Sequence, residues 1–220
     1  MSYELIVTEK PSQAKKIAES LAEGKPTVKK ENGVSYFILN HEGQDIVIAP
    51  AVGHVYSLAE KDKSFSYPSY DIQWYPAHKV DKNSKHASKY ITVIKKLAKE
   101  AKTFTVATDF DVEGEVIGLN LIRYACKQKD ANRMKFSTLT KPDLVKSYQT
   151  KMAHLEWGQA NAGETRHFLD WMYGINRSRA LSTAIRKAGL FKSLSSGRVQ
   201  GPALKLIVDK EKEIRKFVPV

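Results

Sequence analysis

The sequence predicts an α/β fold: a mainly parallel sheet flanked by helices, followed by a small, mostly helical segment. Three observations lead there. Short apolar runs alternate with runs of helical periodicity through the first two thirds of the chain, the pattern of strand–helix–strand units. The composition changes near Leu155, beyond which no clear strand is read before Phe217-Val218. With 220 residues, 42% hydrophobic and 27% charged, the chain is long enough to bury a full core.

The elements follow in order. Glu4–Val7 reads as a short apolar strand, and Ser12 opens a helix with Ala14, Ile17, Leu21 and Ala22 on one face. Tyr36–Leu39 and Ile46–Ala49 read as strands joined through the turn His41-Glu42-Gly43. Ser88–Ala98 has helical spacing, Phe104–Ala107 reads as a buried strand, and Gly114–Ala125 as a helix. Met134–Phe136 reads as a further strand, and Lys141-Pro142-Asp143 opens a helix with proline where its missing N–H costs nothing. Ala162–Ala188 and Gly197–Lys216 complete the helices. The expected domains are 1–155 and 156–220, the second incomplete.

Composition narrows the function classes. No apolar run approaches the roughly 20 residues of a membrane span, and the start MSYELIVTEKPS lacks a basic leader before an apolar core. A single cysteine, Cys126, allows no internal disulfide and argues against a cysteine zinc site, so a cytoplasmic setting without a membrane is expected. The formal net charge of +12 favours a polyanionic partner. Its distribution is more telling than its sum. From Trp171 to Val208 there is no Asp or Glu among 38 residues that carry seven cations, Arg177, Arg179, Arg186, Lys187, Lys192, Arg198 and Lys205. An ordinary solvated helix mixes both signs, so this stretch reads as a surface that follows phosphates. The Lys-rich run Lys79–Lys102 reads instead as an amphipathic helix with a wet face.

The densest chemistry is Ala107–Glu115, ATDFDVEGE, directly after an apolar strand. Crowded carboxylates repel, so such a cluster binds a divalent cation, holds a proton for catalysis, or is an N-capping loop of solvated acids. Asp109 and Asp111 point to one side of an extended segment, while Glu113-Gly114 suits the first turn of a helix. An all-oxygen donor set fits Mg²⁺ better than Zn²⁺. In an open α/β sheet, sites form beyond the carboxyl ends of the strands, so Glu9 would share an edge with these acids if their strands are neighbours.

Four blocks taken together resemble the N-terminal part of type IA DNA topoisomerases, in the archaeal and topoisomerase III-like branch. Val7-Thr8-Glu9-Lys10-Pro11-Ser12 resembles the family's opening strand and helix, and Asp109-Phe110-Asp111-Val112-Glu113-Gly114-Glu115 the acidic signature of the Toprim fold. Arg166-His167-Phe168-Leu169-Asp170-Trp171 with Gly174–Ala180 resembles the helix that follows, and Ser195-Ser196-Gly197-Arg198-Val199-Gln200 the family's Ser-x-Gly-Arg-Val-Gln block. Gly53-His54 matches a further block, at the rim of the site. The resemblance implies a Toprim-type catalytic domain and an ATP-independent enzyme that cleaves and religates single-stranded DNA through a 5′-phosphotyrosyl link with Mg²⁺. It implies Glu9 as proton shuttle, Lys10 near the scissile phosphate, and Glu9, Asp109, Asp111 and Glu113 as the metal shell. Arg166, Asp170, Arg177, Arg179, Ser196, Arg198, Gln200 and His54 would contact DNA.

Three departures qualify it. Val112 stands where the family usually has arginine, Gln13 where the bacterial branch has a basic residue, and none of the ten tyrosines has the Tyr-x-Arg-Thr setting of the nucleophile. Ser66-Tyr67-Pro68-Ser69 lacks it too. The expectation is a fragment that binds metal and DNA, partners with the remaining topoisomerase domains, forms no obligate oligomer and does not cleave alone. A Toprim nuclease or primase-like nucleotidyltransferase would use the same carboxylates, and a non-catalytic nucleic-acid-binding module would keep them for structure.

Overall fold

The alternation of strand and helix is present in the computed structural model, which describes residues 3–62, 64 and 66–218. Two units are formed, one from residues up to Ser57 with Trp74–Glu164, the other from Leu58–Gln73 with residues from Thr165 onward. The division is therefore not a single cut in the chain. Strands are β1 (Tyr3–Thr8), β2 (Thr27–Glu31), β3 (Val34–His41), β4 (Gln44–Pro50), β5 (Tyr56–Glu60), β6 (Ile72–Pro76), β7 (Ala101–Ala107) and β8 (Asn132–Arg133). Helices are α1 (Pro11–Leu21), α2 (Ala77–Val80), α3 (Ala87–Leu97), α4 (Val112–Asn120), α5 (Lys141–Gln149), α6 (Trp157–Lys187) and α7 (Gln200–Lys216). Among the described residues no helix is long and apolar enough to cross a membrane.

The main sheet has the order β2-β3-β4-β1-β7-β8. β1 runs parallel to β4 and β7, and β8 parallel to β7, while β2-β3-β4 is an antiparallel meander. Alternation of side chains across the pleat divides the core in two. On one face Phe37, Ile48 and Ile6 stand opposite one another across three strands, covered by Ala14, Ile17, Ala18 and Leu21 of α1 and by Leu144 and Tyr148 of α5. These helix positions recur at three and four residues, the spacing of one helical face. On the other face α4 lies so close to β7 that a Cβ on Gly118 would come within 2.4 Å of Val106 Cγ1. Glycine is needed there for the approach, not for a turn. Gly118→Ala is expected to lower stability by about 1–3 kcal/mol through overpacking, with recovery when Val106→Ala makes room; denaturant unfolding of the single and double variants measures both, and additive losses would show that the two do not touch.

Several predicted elements shift. Met134–Phe136 is not a strand; β8 comes two residues earlier, because Arg133 pairs with Val106 and with Met152 of a return segment. The helix expected from Gly114 begins at Val112 with Asp111 as its cap and passes into a π-turn at Leu121–Ala125, closed by Cys126 N–H on the Leu121 carbonyl at 2.9 Å. The last helix begins at Gln200 and not at Gly197, so Gly197 and Arg198 lie in the segment before it. Phe217 and Val218 are not in a strand, and Pro219-Val220 lie outside the described residues. β2, β5 and β6 are additional to the expected strands.

Candidate metal centre and basic helices

β1 and β7 are direct parallel neighbours, with Thr8 opposite Ala107. Both carry their next residues past the same sheet edge. Glu9 and Asp109 therefore meet, and the Lys10 ammonium lies between them, 2.9 Å from Glu9 Oε1 and 3.5 Å from Asp109 Oδ2. The Glu9 carboxylate, with Asp109 behind it, holds Lys10 above the usual lysine range. Beyond β1 the backbone continues beside β4's extension, with Ala51 N–H on Thr8 O at 2.7 Å and Gly53 N–H on Glu9 O at 3.0 Å. Gly53 takes a φ of +68°, a turn that suits glycine. The turn delivers His54, whose Nε2 lies 3.0 Å from Glu113 Oε2. His54, expected at the rim, thus reaches one of the acids.

The acidic loop is shaped by capping and by a buried ion pair. Asp111 is the N-cap of α4, accepting from Gly114 N–H at 2.7 Å. Thr108 Oγ1 donates to the Gly114 carbonyl at 2.8 Å. A Cβ on Gly114 would stand 2.2 Å from the Asp109 carbonyl oxygen, so the loop folds over a residue that must lack one. Beneath lies Arg133, fully buried. Its Nε donates to Glu115 Oε2 at 2.7 Å, one terminal nitrogen to the carbonyls of Thr108 (2.9 Å) and Met134 (2.7 Å), and the other to the Asp109 carbonyl at 2.8 Å. Glu115, also fully buried, takes the Glu156 N–H on its second oxygen. Glu115 is thereby turned away from Asp109, Asp111 and Glu113, and serves as the counter-charge of the residue that pins their loop. Arg133 does not stand out in the sequence, where a basic residue on a two-residue strand gives no signal.

Gln13, which the sequence marks only as standing where the bacterial branch has a basic residue, is a second member of the site. Four per cent exposed, it donates from Nε2 to Asp109 Oδ1 at 2.5 Å, while its Oε1 has no hydrogen-bond partner among the described residues. A buried amide oxygen without a donor is costly, and a water molecule on a hydrated cation is a donor that would satisfy it. The residues thus fit Mg²⁺, which takes oxygen ligands and keeps several waters. Glu9 is nearly enclosed, its side chain 12% exposed against 43% for Asp109 and 40% for Glu113.

In the second unit, Asp170 gathers two of the expected DNA contacts. Arg198 Nε lies 2.6 Å from Asp170 Oδ1, and Arg166 Nε lies 3.7 Å from Oδ2 across one helical turn. The Arg198 guanidinium depresses the Asp170 carboxyl below its ordinary range. Arg177 bonds the Tyr173 hydroxyl and sits 4.7 Å over its ring. Arg179 is bidentate to Glu60 at 2.6 and 2.7 Å and also bonds the Ser66 carbonyl, so its charge is neutralised inside the unit and Glu60 is held at about 2. The Ser196 backbone is tied to Ser178 Oγ, and Gln200 is the exposed first residue of α7.

Comparison with known proteins adds the following. Residues 4–139 match the family model described as the Toprim domain, and 154–220 match the one described as DNA topoisomerase. The chain is 48% identical over 217 residues to DNA topoisomerase 1 of Methanocaldococcus jannaschii, covering 98% of this chain and 28% of that protein. It is 48% identical to DNA topoisomerase 1 of Pyrococcus furiosus, covering 98% of this chain and 21% of that one. The solved full-length topoisomerase I of Thermotoga maritima is similar in fold, with a TM-score of 0.64 at 24% identity, over 98% of this chain and 31% of that one. The chain thus spans well under a third of the length of these archaeal relatives.

Proposed function

Because the chain belongs to the Toprim family, in the form borne by type IA DNA topoisomerases, we propose that it supplies the carboxylate half of a centre that cuts and rejoins one DNA strand. The observation that carries this reading is the meeting of Glu9 and Asp109 across the Lys10 ammonium, at the ends of neighbouring parallel strands. A nuclease or primase-like enzyme would use the same carboxylates but leaves the match over 154–220 unexplained.

Glu9, Asp109, Asp111 and Glu113 are the residues that would hold Mg²⁺. When bound, the ion supplies charge neutralisation at the phosphodiester. Glu9 is suited to carry a proton to and from the departing 3′ oxygen, being largely shielded from water and hydrogen-bonded to Lys10. Lys10, more than half exposed, can leave the carboxylates for a phosphate oxygen. His54 orients the Glu113 carboxylate through their hydrogen bond. The attacking tyrosine of a 5′-phosphotyrosyl link is expected from a part of the longer protein outside this sequence. Within the chain we assign 1–155 to the Toprim catalytic role and 156–220 to holding the single strand, with Arg166, Asp170, Arg177, Ser196, Arg198 and Gln200 as its contacts; Arg179, expected among them, is engaged by Glu60. The setting is cytoplasmic, on nucleoid DNA, with no obligate oligomer.

The strand-binding part is tested by titrating the chain with a fluorescent single-stranded oligonucleotide over a salt series. Arg198→Ala with Arg166→Ala is expected to weaken binding about tenfold or more and to flatten the salt slope by about 0.7 for each phosphate that is no longer neutralised. Unchanged affinity and slope would reduce the basic helices to ordinary surface.

A further inference from the structure

Within the second unit, a segment runs back along α6 and is stitched to it by two serines. Ser178 Oγ accepts the Ser196 N–H at 2.9 Å and Ser182 Oγ accepts the Leu194 N–H at 3.0 Å. Both hydroxyls also reach the carbonyls of the same two residues, each at 3.3 Å. The spacing explains the match: four residues of helix rise about 6 Å, and two residues of extended chain about 6.7 Å. Beyond the second stitch the segment is no longer tied. Two adjoining cavities of about 290 and 300 Å³, one beside the stitched stretch and one past it, share Arg186 and Ser193 as walls. Thr183 lines one and Lys192 and Phe191 line the other.

The chemistry of this mouth is that of an anion site beside an aromatic platform. Ser178 and Ser182 are occupied by the stitching and Arg179 by Glu60, which leaves Arg186 and Lys192 as the cations of the cavities without an acidic partner among the described residues. Arg186, Lys192 and the Ser193 hydroxyl line one cavity together with Phe191, a space large enough for a phosphate group. Phe191 is 89% exposed. An aromatic ring that exposed gains nothing from the hydrophobic effect in this chain, and a ring beside paired cations is how proteins hold single strands, by stacking a base while the backbone phosphate is neutralised.

We propose that Arg186, Lys192 and Ser193 bind a backbone phosphate of single-stranded nucleic acid, with the adjoining base stacked on Phe191. This subsite rests on the strand-binding reading above and extends it to residues outside the Arg166–Asp170–Arg198 cluster. It assigns two contributions that differ in kind: Arg186 and Lys192 act through charge and are salt-sensitive, Phe191 through stacking and is not.

The test uses the 220-residue chain, a fluorescent oligothymidylate and a salt series. Arg186→Ala with Lys192→Ala is expected to lower the magnitude of the salt slope by about 0.7, the share of one phosphate. Phe191→Ala is expected to weaken binding about tenfold with the slope unchanged. Phe191→Trp keeps the platform, and its added indole emission is expected to be quenched on oligonucleotide binding, a readout that a structural role would not move. If Arg198→Ala weakens binding while the variants at 186, 191 and 192 do not, and the indole is not quenched, the subsite is refuted and the strand-binding reading stands. If the chain binds no oligonucleotide at low salt, both fall. Equal quenching of the indole by polyglutamate would make the mouth a contact for an acidic protein segment and overturn the nucleic-acid assignment.

Discussion

Arg133→Ala is expected to cost about 3–5 kcal/mol of folding stability, because it removes one partner of a fully buried ion pair and leaves the Glu115 carboxylate without its counter-charge. Single domains are stable by only about 5–15 kcal/mol, so the loss is a large share of the total. It also strips donors from the carbonyls of Thr108, Asp109 and Met134. Arg133→Lys keeps the charge but not the planar fork, and an ammonium cannot reach three carbonyls and a carboxylate from one point. The milder variant is therefore expected to fold with a loosened acidic loop and weaker Mg²⁺ binding. The double variant Arg133→Met with Glu115→Leu separates the two effects. Replacing both charges by apolar side chains often restores stability, yet the loop carbonyls remain without donors, so stability is expected to recover in part while metal affinity does not. Denaturant unfolding and calorimetric Mg²⁺ titration of the variants measure each. A loss below about 1 kcal/mol in Arg133→Ala would show that the pair does not hold the loop.

That pair marks the limit of what is legible in the sequence. The central strands can be read because burial on both faces makes them continuous apolar runs, and the meeting of Glu9 with Asp109 follows once β1 and β7 are neighbours. β2 escapes because its sequence TVKKE is almost wholly exposed on the sheet edge and shows no apolar alternation. Its signal is nevertheless present: Asn32-Gly33, with φ of +49° and +76°, is the two-residue hairpin pair that joins it to β3. Glu42-Gly43, with φ of +50° and +78°, makes the equivalent turn into β4 and is readable because apolar strands flank it. Arg133 has no such signal, and Gln13 is marked only by the family position it occupies, with nothing to say that it meets Asp109. Their roles depend on what lies across the sheet edge from them, and a charge destined for the core looks in a sequence like any surface charge.

Asp109→Asn with Asp111→Asn is expected to lower Mg²⁺ affinity on the order of 100-fold while leaving the fold intact, since ligand charge sets the affinity of an oxygen site. The isosteric change is chosen for what it preserves. Asparagine caps a helix as well as aspartate does, so the bond from Gly114 N–H to position 111 survives. An amide oxygen at position 109 can still accept from Gln13. Removing two like charges from a crowded loop also relieves repulsion, so without metal the variant is expected to match or slightly exceed the parent chain in thermal midpoint. The difference appears only on adding the ion. A ligand at 100 times its dissociation constant stabilises the folded state by about 2.7 kcal/mol and one at its dissociation constant by about 0.4 kcal/mol, so in Mg²⁺ over EDTA the parent chain should gain the first and the variant the second. Equal gains would show that the ion binds elsewhere and that Asp109 and Asp111 do no more than shape the loop. Lys10→Met gives the opposite sign: it removes the ammonium that now bridges Glu9 and Asp109, so an incoming cation meets more uncompensated negative charge and binds more tightly.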